Sequence, residues 1–100
     1  MKSVQAIVDE MYNGNAECIT RNIFSSNPYF VINSIICGVR YRVNDSDFLT
    51  GVKAATSNTQ RVLGYPINCV ATAALCVLKG LPYTGDDYIT KKLVECGFEI

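Results

Sequence analysis

The sequence predicts an all-α fold of five or six short helices in antiparallel pairs. Apolar residues recur at helical spacing in nearly every segment. Capping residues precede those segments and glycines follow them. A repeat of 38–40 residues relates the second and third parts of the chain, residues 27–56 and 66–96. The alternative is an α+β fold, which follows if residues 29–43 are extended.

The densest helical signal lies between Gly64-Tyr65-Pro66 and Gly80-Leu81-Pro82. Within a helix of about 66–79, Ile67, Val70, Ala71, Ala74, Leu75 and Leu78 form one apolar stripe, while Cys69, Ala73, Cys76 and Val77 make much of the other side apolar. Neighbours are therefore expected on more than one side of it.

The other elements follow in chain order. Residues 2–12 place Val4, Ile7, Val8 and Met11 on one face, with Ser3 as N-cap and Gly14 past the end. Asn15 caps a second helix, 16–25, with Ala16, Ile19, Ile23 and Phe24 inside and a Glu17–Arg21 pair outside. Asn27-Pro28 is a strong start for a helix to about residue 43, although its β-branched and aromatic content also suits a strand pair. Asn44-Asp45-Ser46-Asp47 opens a helix of about 46–56 bearing Phe48, Leu49, Val52 and Ala55. The polar 56–66 stretch, with Asn58, Gln60, Arg61 and Tyr65, reads as a linker and as a secondary candidate surface. Tyr83-Thr84-Gly85-Asp86-Asp87 is a turn with a capping threonine. It leads into a last helix of about 85–96 with Tyr88, Ile89, Leu93 and Cys96 inside and Gly97 at its end.

Superposition of these segments gives the repeat. Asp47-Phe48-Leu49-Thr50 matches Asp87-Tyr88-Ile89-Thr90 at an offset of 40; Val31, Cys37 and Arg40 match Val70, Cys76 and Lys79 at 39; Pro28 matches Pro66 at 38. Two-helix units of this period resemble the HEAT and armadillo class of helical repeats, which implies a right-handed stack. On that reading residues 1–26 are a degenerate first unit, or cap, of a single 100-residue domain.

Composition narrows the chemistry. The chain is 49% hydrophobic and 18% charged, a globular balance, and nine basic and nine acidic residues cancel. Zero net charge removes the simplest case for direct nucleic-acid or anionic-membrane binding. The longest apolar run is shorter than the ~20 residues that span a bilayer. The N-terminal residues lack a secretory signal pattern, so a cytoplasmic protein is expected. Five irregularly spaced cysteines, Cys18, Cys37, Cys69, Cys76 and Cys96, read as buried free thiols.

Histidine is absent, which removes the commonest general base, metal ligand and nucleophile partner. No CxxC pair suggests zinc. Asp45-Ser46-Asp47 starts like a calcium loop, but Thr50 and Thr56 stand where the loop requires glycine and glutamate. Asp45, Asp47, Asp86 and Asp87 are better explained as caps and first-turn charges than as a hydrolytic pair. The expectation is a non-enzymatic chain with no cofactor and no metal.

A surface remains. Equivalent two-helix units would align their turns along one edge, bringing Tyr41, Asn44, Asp45 and Asp47 beside Tyr83, Asp86 and Asp87. Tyrosines among carboxylates suit a protein interface, the ring supplying rigid area and the acids steering a basic partner. In size, composition and helical organisation the chain resembles the small bacterial immunity proteins of contact-dependent and polymorphic toxin systems. The resemblance implies stoichiometric neutralisation of a cognate toxin, such as a basic nuclease, by this acidic, tyrosine-bearing edge. The contrasting expectation is a small scaffold or adaptor, or a homodimer that buries Tyr29, Tyr65 or Phe98.

Overall fold

The local start signals act almost as the sequence implies. The computed structural model describes residues 3–99. Its elements are α1 (Val4–Tyr12), α2 (Ala16–Asn22), α3 (Pro28–Arg40), α4 (Ser46–Ala55), β1 (Arg61–Val62), β2 (Tyr65–Pro66), α5 (Ile67–Leu78) and α6 (Tyr88–Glu95). The fold is all-α, with one two-stranded hairpin. Side chains of Ser3, Asn15, Asn27, Asp45 and Asp87 accept hydrogen bonds from the backbone N–H groups of Ala6, Cys18, Tyr29, Asp47 and Thr90, at 2.8–3.1 Å. Each satisfies a donor that the first helical turn leaves unpaired.

Residues 29–43 are helical through Arg40, which removes the extended alternative. Every residue from Val31 to Val39 is buried. A helix enclosed on all sides has no polar face to display, so its β-branched content records burial rather than strand formation. α3 and α5 pack against each other at the centre. α1 and α2 cover α3, α6 covers α5, and α4 lies chiefly on α5 with smaller contacts to α2 and α3.

One close approach sets the α3–α4 geometry. A Cβ on Gly38 would fall 1.9 Å from Cζ of Phe48, so only glycine lets that fully buried ring lie on the helix backbone. Polar groups inside are matched: Asn33 donates to the Tyr29 carbonyl at 2.8 Å and accepts from the Tyr12 hydroxyl at 2.8 Å.

Several boundaries and faces differ from the sequence reading. The helix expected over 16–25 stops at Asn22, whose amide turns back to the Cys18 carbonyl at 2.7 Å, and Phe24 is exposed. The helix expected from residue 85 begins at Tyr88, because Asp87 and not Thr84 is the cap. Its carboxylate accepts from both Thr90 N (2.9 Å) and Thr90 Oγ1 (2.7 Å). That cap turns Thr90 and Leu93 inward and leaves Tyr88, Ile89 and Cys96 exposed, against expectation. Of the five free cysteines only Cys18 and Cys37 are buried; Cys69 and Cys76 are half-buried. The N-terminal helix starts at Val4, and Lys2 lies outside the described residues.

The expected 56–66 linker contains the hairpin. β1 and β2 are antiparallel, with Arg61 opposite Pro66 and Val62 opposite Tyr65. The hairpin also starts α5: no side chain caps that helix, and Ile67 N–H donates to the Gln60 carbonyl at 3.0 Å.

Candidate protein-binding surface

The residues of the expected acidic edge face different neighbours. Tyr41 bends back over the α1–α2 turn, its hydroxyl donating to the Tyr12 carbonyl and its ring 3.2 Å from where a Gly14 Cβ would sit. Asp45 caps α4 and borders a hollow formed by Ala16, Glu17, Thr20 and Arg21 of α2. Asn44 lies in a groove against the C-terminal end of α5. Asp47 is exposed in the first turn of α4. Tyr83 lies over the Asn68, Cys69, Thr72 and Cys76 face of α5, closing a cleft of about 300 Å³. Burial raises the Tyr83 phenol, and the nearby Cys69, Asp87, Cys76 and Asp86 add to the rise. Asp86 and Asp87 therefore group with Tyr83 around the start of α6.

That end of the molecule carries the most exposed large apolar side chain among the described residues. The two-residue loop Leu63-Gly64 has φ of 55° and 85°, positive at both positions, the signature of a type I′ hairpin turn. Asn-Gly adopts such a turn cheaply; leucine in the left-handed region costs about 1–2 kcal/mol. Leu63 is nevertheless 74% exposed, so burial within the chain offsets little of that cost.

The tip is held in place from beneath. Arg61 donates to the Gly64 carbonyl at 3.2 Å and reaches Asp87 Oδ1 at 3.8 Å, tying the hairpin to the cap of α6. At 3.8 Å, with the Arg61 side chain 62% and the Asp87 side chain 19% exposed, the pair contributes on the order of 1 kcal/mol or less. The N–H and hydroxyl of Thr90, then Arg61, hold the Asp87 carboxyl below its ordinary value. A Cβ on Gly64 would sit 3.3 Å from Ile89 Cδ1, so the loop rests on α6. Ile89 and Tyr88 are 37% and 69% exposed, so the loop tip and the start of α6 together present Leu63, Ile89 and Tyr88 to solvent. Lys92 stacks on the Tyr88 ring with its nitrogen 5.3 Å from the centroid, and Asp86, just before the Asp87 cap, is exposed.

Comparison with protein families, curated proteins and solved structures finds no match for this chain. Among the described residues no group of three or more Cys, Asp or Glu could hold a metal ion, and no helix is long and apolar enough to cross a membrane. The Cys69–Cys76–Tyr83 cleft brings thiols beside threonine hydroxyls, but the sequence supplies no histidine to activate them. Burial pushes the Cys37 thiol up to about 12, which keeps it protonated and inert.

Of the seven residues named from sequence, Asp86 and Asp87 lie at the hairpin–α6 surface, with Tyr83 beside them. Leu63, Tyr88 and Ile89 were missed. Exposure of Tyr88 and Ile89 depends on which residue caps α6. The one available signal was Gly64 after an apolar Val-Leu pair, a weak hairpin mark without Asn.

Proposed function

We propose that this chain is a non-catalytic protein-binding domain that captures its partner on the Leu63–Ile89–Tyr88 surface. Leu63 carries the reading: an aliphatic side chain exposed and held in a costly backbone conformation has a use when a partner covers it. The exposed aromatic ring of Tyr88, one residue before Ile89, is the kind of side chain that anchors interfaces.

The biological use that fits best is that of a cytoplasmic immunity protein, which binds a cognate toxin one-to-one and occludes it. Exposed Asp86, next in sequence to the Asp87 that ties to the hairpin, and exposed Asp47 on α4 would steer a basic toxin. A homodimer packed through Phe98 is disfavoured, because that ring is fully buried within one chain.

Co-purification from the native host, followed by co-expression of the captured protein, tests the proposal. The partner should be toxic when expressed alone and harmless alongside this chain. Leu63→Asp and Tyr88→Asp, both on exposed positions and expected to fold, should abolish capture and protection. Full protection by both folded variants would reject this surface. A captured partner without toxicity would reject the immunity role and leave an adaptor.

A further inference from the structure

Helix ends supply a second, independent observation. α1, α5 and α6 close with paired hydrogen bonds of the Schellman type: Gly14 N to Met11 O with Asn15 N to Glu10 O, Gly80 N to Val77 O with Leu81 N to Cys76 O, and Gly97 N to Val94 O with Phe98 N to Leu93 O. In each the first residue past the cap is a left-handed glycine, at φ 83°, 70° and 67°. α3 closes in the same way, with Arg42 N to Val39 O at 3.2 Å and Val43 N to Gly38 O at 2.9 Å, yet its left-handed residue is Arg42, at φ 54°. Glycine is the cheaper occupant of that position.

A groove of about 370 Å³ is lined by Val43, Leu49, Leu75 and Leu78, with the exposed Arg42, Asn44 and Lys79 around them. Val43 is buried and the three leucines are half-exposed. Arg42 and Lys79 are both exposed, and neither has a carboxylate partner among the described residues. Two unpaired cations flanking an aliphatic floor are complementary to an anionic group next to an aliphatic one, and a carboxylate beside an aliphatic side chain is how a peptide presents that pair. The groove is open to solvent, so a chain can lie across it with a side chain on the leucines and carboxylates toward the cations.

We propose that this groove docks an acidic, aliphatic peptide segment of a protein partner, and that Arg42 holds its left-handed position to place the guanidinium beside the groove. The groove is separate from the hairpin–α6 surface, so either assignment can fail without the other.

The test is an amide-shift titration of the full chain with a capped peptide of alternating Glu and Leu, and with a matched peptide carrying Lys for Glu. Saturable shifts at Arg42, Val43, Leu49 and Lys79 are expected with the acidic peptide and not with the basic one. Arg42→Gly should weaken binding roughly tenfold or more while leaving the thermal midpoint unchanged or higher, since glycine suits the cap. Lys79→Glu should weaken binding at least as much. Wild-type affinity in Arg42→Gly, equal binding of the basic peptide, or the absence of groove shifts would overturn the proposal. Sodium octanoate shifting the same amides at lower concentration than the peptide would overturn the peptide assignment in favour of a small carboxylate.

Discussion

Phe98 and Leu63 share a backbone conformation and little else. Both are non-glycine residues in the left-handed region, at φ 63° and 55°, and each adjoins a glycine that also has positive φ. Phe98 is fully buried, packed into the main apolar core just after the end of α6. Leu63 is three-quarters exposed at the hairpin tip. Burying a phenylalanine is worth roughly 1.5–3 kcal/mol, enough to offset a left-handed cost of about 1–2 kcal/mol. At Phe98 folding itself explains the strain. At Leu63 folding does not, which is why strain there points outward, to a partner. The difference lies in what surrounds the residue, not in the dihedral angle.

The largest expected effect is on the buried side of the comparison. Phe98→Ala should cost about 3–5 kcal/mol in denaturant unfolding, the range for deleting a buried ring. Phe98→Gly should be less harmful than Phe98→Ala by about 1 kcal/mol, because glycine removes the left-handed cost that alanine retains. If the glycine variant is the less stable of the two, strain at Phe98 is negligible and the comparison collapses.

On the exposed side the sign reverses. Leu63→Asn should raise stability by about 1 kcal/mol, since Asn-Gly suits the type I′ loop and little apolar burial is lost. For a domain of this size that is a rise in thermal midpoint of roughly 4–8 °C. The same variant should weaken partner capture. A variant that is less stable than the wild type would mean that Leu63 contributes to the fold after all, and its exposure would no longer argue for an interface.

The two residues also mark where the sequence was legible. Asn15, Asn27 and Asp45 could be read as caps because each acts on a backbone N–H two or three residues ahead. The apolar spacing of α3 and α5 could be read because burial on most sides leaves few polar interruptions. The hairpin could not, since Leu63 occupies the position where Asn would announce the turn. The inward face of α6 is not legible either: Thr90 is buried with its hydroxyl bonded to Asp87, so a polar residue takes the place that apolar spacing gives to Tyr88 and Ile89. The expected edge depended on how turns sit beside one another. Tyr41 is bonded to the α1–α2 turn, a long-range contact that no local pattern encodes.

The smallest effect tests the tie that holds the exposed tip. Asp87 has its carboxyl held below the ordinary value of 3.8 by the Thr90 donors and, in lesser degree, by Arg61. A carboxyl whose folded value is depressed binds protons more readily in the unfolded chain. It therefore adds stability above 3.8, and that stability is lost as pH falls through the lower folded value. Asn is as good an N-cap as Asp, so Asp87→Asn should keep α6 and lose only the part that depends on charge. Unfolding curves of wild type and variant should then differ at neutral pH and converge on acidification through this window. Faster amide exchange at Leu63 and Gly64 in the variant at neutral pH, with Phe98 unchanged, would place the effect at the hairpin. Curves that stay parallel down the acid limb would show that the charge on Asp87 adds no stability, and unchanged exchange at Leu63 and Gly64 would leave the contact with Ile89 to hold the tip.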